Sequence, residues 1–191
     1  MAGSPDRDTG LPAGVLGYGL GPEWEPGPDG VPFRRAARVI LLDPVDRVLL
    51  LRGHDSVETT RTWWFTVGGG LEPGEDSRAG AVRELREETG LRVAPEDLQG
   101  PVLTRSALFD FSHVTCRQDE EFFLARGRET RLDVSGWTAL EREVVDELRW
   151  WHLDELDSAV ADGAVVYPAA LPSLARRLTA GWDGSTVHVV E

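Results

Sequence analysis

Short apolar runs rich in Val, Ile and Leu follow one another from residue 34 onward, and they predict β-strands. Residues 36–42 and 47–52 flank an Asp43-Pro44 turn and read as a hairpin. Further strands are expected at 63–67, 92–93, 102–111, 121–125, 149–152 and 186–190. The stretches 53–62 and 127–147 are polar, and we expect loops there, the second with little regular structure.

Three segments carry the spacing and capping residues of helices. The first runs to about Thr89, with Asp76 or Ser77 as its N-cap and Gly90 just past its end. The others are 154–161, which Asp154 could cap, and 169–180. Strands interspersed with a few helices indicate an α/β fold, in which a mixed β-sheet carries helices on both sides.

The first 32 residues differ in composition from the rest of the chain. They hold eight Gly and six Pro, so we expect an arm, residues 1–32, without helix or regular strand, followed by one domain at 33–191. The arm also carries apolar residues, namely Leu11, Val15, Leu16, Tyr18, Leu20 and Trp24. This apolar content favours docking, either on the chain's own body or on a neighbouring subunit in a homodimer.

Charge and composition exclude several classes of function. The formal net charge of −13 repels nucleic acid, and an acidic protein that acts on an anionic nucleotide needs a cation between the two. All 20 basic residues are Arg, which excludes catalysis by a lysine. We find no apolar run long enough for a membrane span and no secretory signal. Cys116 is the single cysteine, which fits a reducing, cytoplasmic setting.

The first predicted helix is acidic on one side. Glu84, Glu87 and Glu88 fall within an arc of about 100°, beside an apolar arc that contains Ala81, Val82 and Leu85. Most such charge runs are solvated helix faces. Here a predicted glycine-rich turn at 68–70 and a Pro73-Gly74 turn precede the helix, which favours a site for Mg²⁺ or Mn²⁺.

Residues 69–91, GGLEPGEDSRAGAVRELREETGL, resemble the Nudix box, written G-x5-E-x7-R-E-U-x-E-E-x-G-U with U an aliphatic residue. Every fixed position is filled, by Gly69, Glu75, Arg83, Glu84, Leu85, Glu87, Glu88, Gly90 and Leu91. The resemblance implies a Nudix-like α/β/α sandwich with a mixed β-sheet. It also implies metal-dependent hydrolysis of a diphosphate bond in a nucleoside diphosphate linked to another moiety, with water as nucleophile.

The resemblance also implies roles for individual residues. Glu87 and Glu88 would bind the metal, and Glu84 would be a further ligand or a base that orients water. Arg83 would hold these glutamates in place, the carbonyl of Gly68 would join the metal shell, and Gly69, Glu75 and Gly90 would be structural. A downstream acid often completes the site, and the choice stays open among Glu120, Glu121, Glu141, Glu143 and Glu147.

The substrate is less well defined than the reaction. Two arginines are candidates for substrate binding: Arg52 lies where relatives often place a phosphate-binding arginine, and Arg61 lies in the loop before the box strand. The aromatic residues that could stack on a base include Trp63, Trp64 and Trp137. Since side chains alternate along a strand, at most one of Trp63 and Trp64 should reach the site. Some Nudix subfamilies carry a marker proline or tyrosine after the box, and residues 105–109 contain neither.

Two other functions compete with hydrolysis. A Nudix-fold nucleotide sensor without turnover is one alternative, although such proteins usually have a broken box. A metal-using isomerase on the same fold is the other, and it would need a catalytic cysteine in suitable surroundings, which Cys116 does not obviously have.

Overall fold

The computed structural model describes residues 20, 23–55, 58–111 and 114–191. Its strands and helices, in chain order, are β1 (Glu25–Pro26), β2 (Pro32–Leu42), β3 (Val48–His54), β4 (Thr62–Phe65), β5 (Val67–Gly70), α1 (Ser77–Thr89), β6 (Gln99–Phe111), β7 (Val114–Arg126), α2 (Ala139–Val144), β8 (Val145–Trp151), α3 (Leu153–Ala161), β9 (Val166–Tyr167), α4 (Leu171–Leu178) and β10 (Val187–Val190). A short 3-10 turn at Pro95–Asp97 precedes β6.

Within the described residues the strands form one mixed sheet. Its main order is β10-β6-β7-β2-β3-β4-β9, while β1 and β5 also pair with β2, and β8 pairs with β3. The pairs β2–β7, β4–β9 and β6–β10 are parallel, and the other pairs are antiparallel. β2 is therefore the central strand, and β5, which leads towards α1, lies directly beside it.

Helices cover both faces of the sheet, as the sequence predicts. Val39 and Leu41 of β2 face a core that includes Ala81 and Leu85 of α1. Ile40 and Leu42 face the other core, which includes residues of α3 and α4. Because β2 is buried on both faces, it is apolar at consecutive positions instead of alternating with polar residues. The predicted α/β/α arrangement is confirmed.

Several predicted elements are correct and four need correction. The predicted strand at 92–93 is absent, because these residues pair with none of the described strands and lie in irregular structure before the 3-10 turn. The stretch 127–147 is not a plain loop, since it contains α2 and the start of β8. Asp154 lies inside the first turn of α3, whose N-cap is His152. The glycine run 68–70 belongs to strand β5 and is not a turn.

The end of the arm is more ordered than its composition predicts. Glu25 and Pro26 pair with Phe33 and Pro32 in a short antiparallel ladder, which Gly30 closes with a φ of 79°. Trp24 is 6% exposed and packs edge-on against Phe109. The docking predicted for the rest of the arm falls on residues 1–19 and 21–22, which lie outside the described residues, and the predicted homodimer stays a prediction. No described helix combines the length and apolarity needed to cross a membrane.

Candidate active site

Helix α1 is fixed at both ends by its own sequence. The Asp76 carboxylate accepts hydrogen bonds from the main-chain N–H groups of Arg78 and Ala79. At the other end Gly90 adopts a left-handed conformation, with φ 72°, and its N–H donates to Arg86. The predicted caps are confirmed, and they fix where the helix begins and ends.

Three carboxylates converge beside this helix. Oxygens of Glu84, Glu88 and Glu141 all lie within 4.8 Å of one another. Glu84 and Glu88 come from one face of α1, whereas Glu141 comes from α2 and reaches the same point from the opposite direction. We call these three residues the acidic cluster. Of the five downstream acids considered from the sequence, Glu141 is the one that the structure brings into it.

The acidic cluster is largely removed from water. Glu88 is 4% exposed, and the side chain of Glu84 is 12% exposed. Burial raises the pKa of Glu88 well above its ordinary value, and the charges of Glu84 and Glu141 raise it further. Burial likewise raises the pKa of Glu84, although Arg83 opposes the shift. Carboxylates that crowd together in a buried place favour protonation or a bound cation.

The glycines of β5 lie next to the acidic cluster. The Gly68 N–H donates a 2.7 Å hydrogen bond to Glu88, and the Gly68 carbonyl accepts one from Arg38 at 3.0 Å. A Cβ atom placed on Gly69 would lie 2.8 Å from an oxygen of Glu84. The absence of a side chain on Gly69 is therefore what allows Glu84 to approach the backbone of β5 so closely.

Arg83 connects the box loop to the helix. Its guanidinium holds both carboxylate oxygens of Glu75, at 2.9 and 2.8 Å, and donates to the Gly70 carbonyl at 3.0 Å. A further nitrogen donates to Glu84 at 2.7 Å and to Glu87 at 3.2 Å. The hydrogen bonds to Glu75 raise the pKa of Arg83, so it remains a fixed positive charge. This bidentate geometry is specific to arginine.

Glu87 lies apart from the acidic cluster. Its side chain is 42% exposed and is paired with Arg83 and, at 3.6 Å, with Arg86. The sequence-based role of Glu87 as a metal ligand stays a prediction. Glu120 is also engaged elsewhere, since it is fully buried between Arg38 and Arg105.

Three residues proposed from the sequence to bind substrate, Arg52, Arg61 and Trp64, make no contact with α1 among the described interactions. Trp64 is 7% exposed and packs edge-on against Trp151 in the core that α3 and α4 cover, so its position does not support base stacking. Arg52 lies 3.5 Å from both Asp146 and Glu147, and Arg61 lies over the ring of Trp63. These two arginines stay candidates without a contact to the acidic cluster among the described interactions.

The segment before α2 touches the end of α1. The indole N–H of Trp137 donates to the main-chain carbonyl of Glu88 at 2.8 Å, and the Asp133 N–H donates to the carbonyl of Thr89 at 2.8 Å. From the sequence, Trp137 is one of several aromatic residues that could stack on a base, and this hydrogen bond is not predicted. A sequence signal did exist at Thr138, where T-x-x-E is the pattern of a capping box, and both of its hydrogen bonds are present.

The donor set fits a hard divalent cation. Three carboxylates whose oxygens lie within 4.8 Å of one another match the oxygen ligands that Mg²⁺ and Mn²⁺ take. The Gly68 carbonyl accepts a hydrogen bond from Arg38, and its part in the metal shell stays a prediction. The raised pKa of Glu88 points the same way, because a cation offsets the repulsion that raises it.

The class of the protein is that of an α/β/α sandwich, in which a mixed sheet lies between helices and glutamates of one helix gather beside a glycine strand. The NUDIX domain family model matches residues 32–170, and the chain belongs to this family. It is 41% identical over 63 residues to an RNA pyrophosphohydrolase from Dinoroseobacter shibae, a match that covers 33% of this chain and 38% of that protein. It is 40% identical over 60 residues to the uncharacterized Nudix hydrolase YvcI from Bacillus subtilis, over 31% of this chain and 35% of that one.

Solved structures share the fold. A MutT protein from Methanosarcina mazei has a TM-score of 0.54 and 20% identity, over 78% of this chain and 95% of that chain. The ORF135 protein from E. coli has a TM-score of 0.54 and 20% identity, over 83% of this chain and all of that chain. The matches to the curated relatives span well under half of their length.

Proposed function

We propose that this protein hydrolyses a diphosphate bond in a nucleoside diphosphate linked to another moiety, with water as the nucleophile and Mg²⁺ or Mn²⁺ as cofactor. The observation that carries the proposal is the acidic cluster, in which Glu84, Glu88 and Glu141 converge within 4.8 Å on the helix of an intact box. A bound divalent cation would neutralise phosphate charge and make water a better nucleophile.

The chain's own residues would divide the work of holding the cation and the water. Glu88, fixed by the Gly68 N–H, would be a ligand with one defined orientation. Glu84, held by Arg83, would bind the cation or orient the attacking water. Glu141 would close the site from the side of α2. Because each carboxylate is already positioned before substrate binds, little reorganisation would be needed during reaction.

The alternatives have less support. A sensor without turnover would not need three converging carboxylates, and here they are complete. A cysteine-dependent isomerase is disfavoured because Cys116 is buried, and burial raises the pKa of its thiol, which lowers the fraction of reactive thiolate.

A substrate panel tests the proposal directly. It would contain nucleoside triphosphates, ADP-ribose, NADH, nucleotide sugars and dinucleoside polyphosphates, with an RNA that carries a 5′ polyphosphate because several relatives are named RNA pyrophosphohydrolases. We expect release of a nucleoside monophosphate or phosphate that requires Mg²⁺ and stops with EDTA. The net charge of −13 favours a small nucleotide over RNA. Binding of a nucleotide without any product would support the sensor instead.

Single carboxylate-to-amide changes separate the site residues from their neighbours. Glu88→Gln should lower kcat by orders of magnitude while the fold persists, and Glu141→Gln should lower it as well. Glu143→Gln is the matched control, since Glu143 is exposed on the same short helix. Glu87→Gln tests the ligand role expected from the sequence. Near-normal turnover of Glu88→Gln would refute the assignment.

A further inference from the structure

We propose that Thr138 is a positioning residue, which fixes Glu141 in the acidic cluster and thereby sets the affinity of the site for divalent cations. The inference rests on the proposed function, since it concerns the same site. It adds a residue that is not one of the three carboxylates and that acts through its hydrogen bonds with Glu141.

The local geometry is a reciprocal capping box. The Glu141 N–H donates to the Thr138 hydroxyl at 3.2 Å, and the Thr138 N–H donates to a carboxylate oxygen of Glu141 at 2.6 Å. The second bond holds the same carboxylate that lies within 4.8 Å of Glu84 and Glu88. The donor of this second bond is a main-chain N–H, so the bond depends on the position of the backbone at residue 138, and the bond to the Thr138 hydroxyl is the one that holds this backbone in the capping geometry. If the hydroxyl is lost and the backbone moves, Glu141 can sample the several rotamers open to a glutamate, at a cost in entropy when a cation binds.

The helix that carries Glu141 cannot hold it in place unaided. α2 spans only six residues, and an isolated helix of that length is unstable in water. Its order therefore depends on its cap and on its contacts with neighbouring segments. Thr138 supplies the cap.

Contacts on the N-terminal side tie Thr138 to α1. Trp137, its neighbour in the chain, donates to the Glu88 carbonyl, and Gly136 packs so closely that an added Cβ would lie 2.3 Å from the carbonyl oxygen of Glu87. Arg142 braces the same turn by donating to the carbonyls of Trp137 and Ser135, at 3.1 and 3.0 Å. These contacts fix the position of the backbone at 135–138 relative to α1. Through its hydrogen bonds, Thr138 then fixes the position of Glu141.

A purely structural cap would behave differently. Loss of a threonine cap lowers the stability of the protein, whatever the helix carries. A positioning role predicts in addition a change in metal affinity, because partners that orient a ligand typically change affinity by about 10- to 100-fold when lost.

The test measures Mn²⁺ binding to the full chain by calorimetry, without substrate. We expect Thr138→Ala to raise the Mn²⁺ Kd about tenfold and Thr138→Ser to restore it. Thr138→Gly is a second variant, because glycine is itself a tolerated N-cap and lowers stability by only a few tenths of a kcal/mol while removing the hydroxyl. Thr179→Ala is the matched control, since its hydroxyl donates to a helix carbonyl of α4. We expect no change in its Kd.

A second comparison shows whether Thr138 acts through Glu141. In a Glu141→Gln background, Thr138→Ala should have no additional effect on the Mn²⁺ Kd. The inference is overturned if Thr138→Ala and Thr138→Gly lower the melting temperature but bind Mn²⁺ like the wild type. A wild type that binds Mn²⁺ in this Thr138-dependent way but hydrolyses nothing in the panel would refute the proposed hydrolysis and support the inference. A wild type that binds no Mn²⁺ would overturn both.

Discussion

Trp137 donates its indole N–H to the main-chain carbonyl of Glu88, at 2.8 Å. The bond joins two segments that are distant in the chain, at the residue that is the most deeply buried acid of the cluster. It also satisfies a carbonyl near the end of α1 that has no partner within the helix. Helix α1 and the segment that carries Glu141 are therefore one structural unit.

Replacement of Trp137 by Phe should weaken this unit. We expect a loss of about 1 kcal/mol in the free energy of unfolding, because one partly buried hydrogen bond is removed while the ring stays apolar. We also expect a several-fold rise in the Mn²⁺ Kd, since the register of Glu141 on α1 loosens. Urea unfolding and calorimetry measure the two effects.

Trp150→Phe is the control for this change. The Trp150 indole also donates to a main-chain carbonyl, that of Thr130 at 3.1 Å, and its ring packs against the same core. It should lose similar stability with unchanged Mn²⁺ affinity. Equal effects of both variants on Mn²⁺ affinity would mean that Trp137 has no special relation to the site.

Arg83→Lys should retain the positive charge but lose the hydrogen-bonding geometry of the guanidinium. Lysine cannot bind both oxygens of Glu75 while it also donates to Glu84 and Gly70, so Glu84 should lose its orientation. We expect kcat to fall tenfold or more, with a smaller change in KM. Arg86→Lys is the control, because Arg86 is 56% exposed on the same helix. A normal kcat for Arg83→Lys would show that charge alone suffices.

Gly69→Ala should disturb the site through one methyl group. Its Cβ would stand 2.8 Å from a carboxylate oxygen of Glu84, a contact that requires Glu84 to move. We expect weaker Mn²⁺ binding and a large loss of turnover, with the fold intact by circular dichroism. Gly127→Ala adds the same methyl at a place where the nearest atoms are 3.5 Å away, and it should behave like the wild type. Full activity of Gly69→Ala would contradict the observed packing.

Glu120 should give the protein a specific sensitivity to acid. Burial alone would raise the pKa of Glu120, but the guanidiniums of Arg38 and Arg105 outweigh burial and lower it. Its contribution to stability is therefore present above the ordinary glutamate pKa of about 4.3 and is lost as the pH falls through the lower value of the folded state. Glu120→Gln should cost about 3 kcal/mol near neutral pH, because two arginines lose a buried partner.

The measurement is urea unfolding as a function of pH. The stability difference between the wild type and Glu120→Gln should shrink as the pH falls below about 4.3. Glu129→Gln, at an exposed position, should show a small and nearly constant difference. If the stability difference between the wild type and Glu120→Gln stays constant down to the pH of acid unfolding, the lowered pKa of Glu120 is contradicted.

Much of the fold can be predicted from local pattern. The strands from β2 to β4, β6, β7 and β10 and the helices α1, α3 and α4 correspond to predicted segments, since apolar runs and caps act over a few residues. The incorrect predictions concern segments whose secondary structure depends on contacts with other parts of the chain. Residues 92–93 have strand-like composition, yet they pair with none of the described strands. The helix α2 is so short that its cap and its contacts with neighbouring segments outweigh its polar sequence.

The sequence by itself determined the family, the helix that carries Glu84 and Glu88, and the arginine and glycines around them, because all of these lie within one continuous motif whose spacing sets their geometry. Only the tertiary structure decided that Glu141 completes the acidic cluster, that Trp64 is a core residue and that Trp137 holds α1. These outcomes depend on how distant segments meet across the sheet, and contacts of that kind leave no periodic signal in the chain.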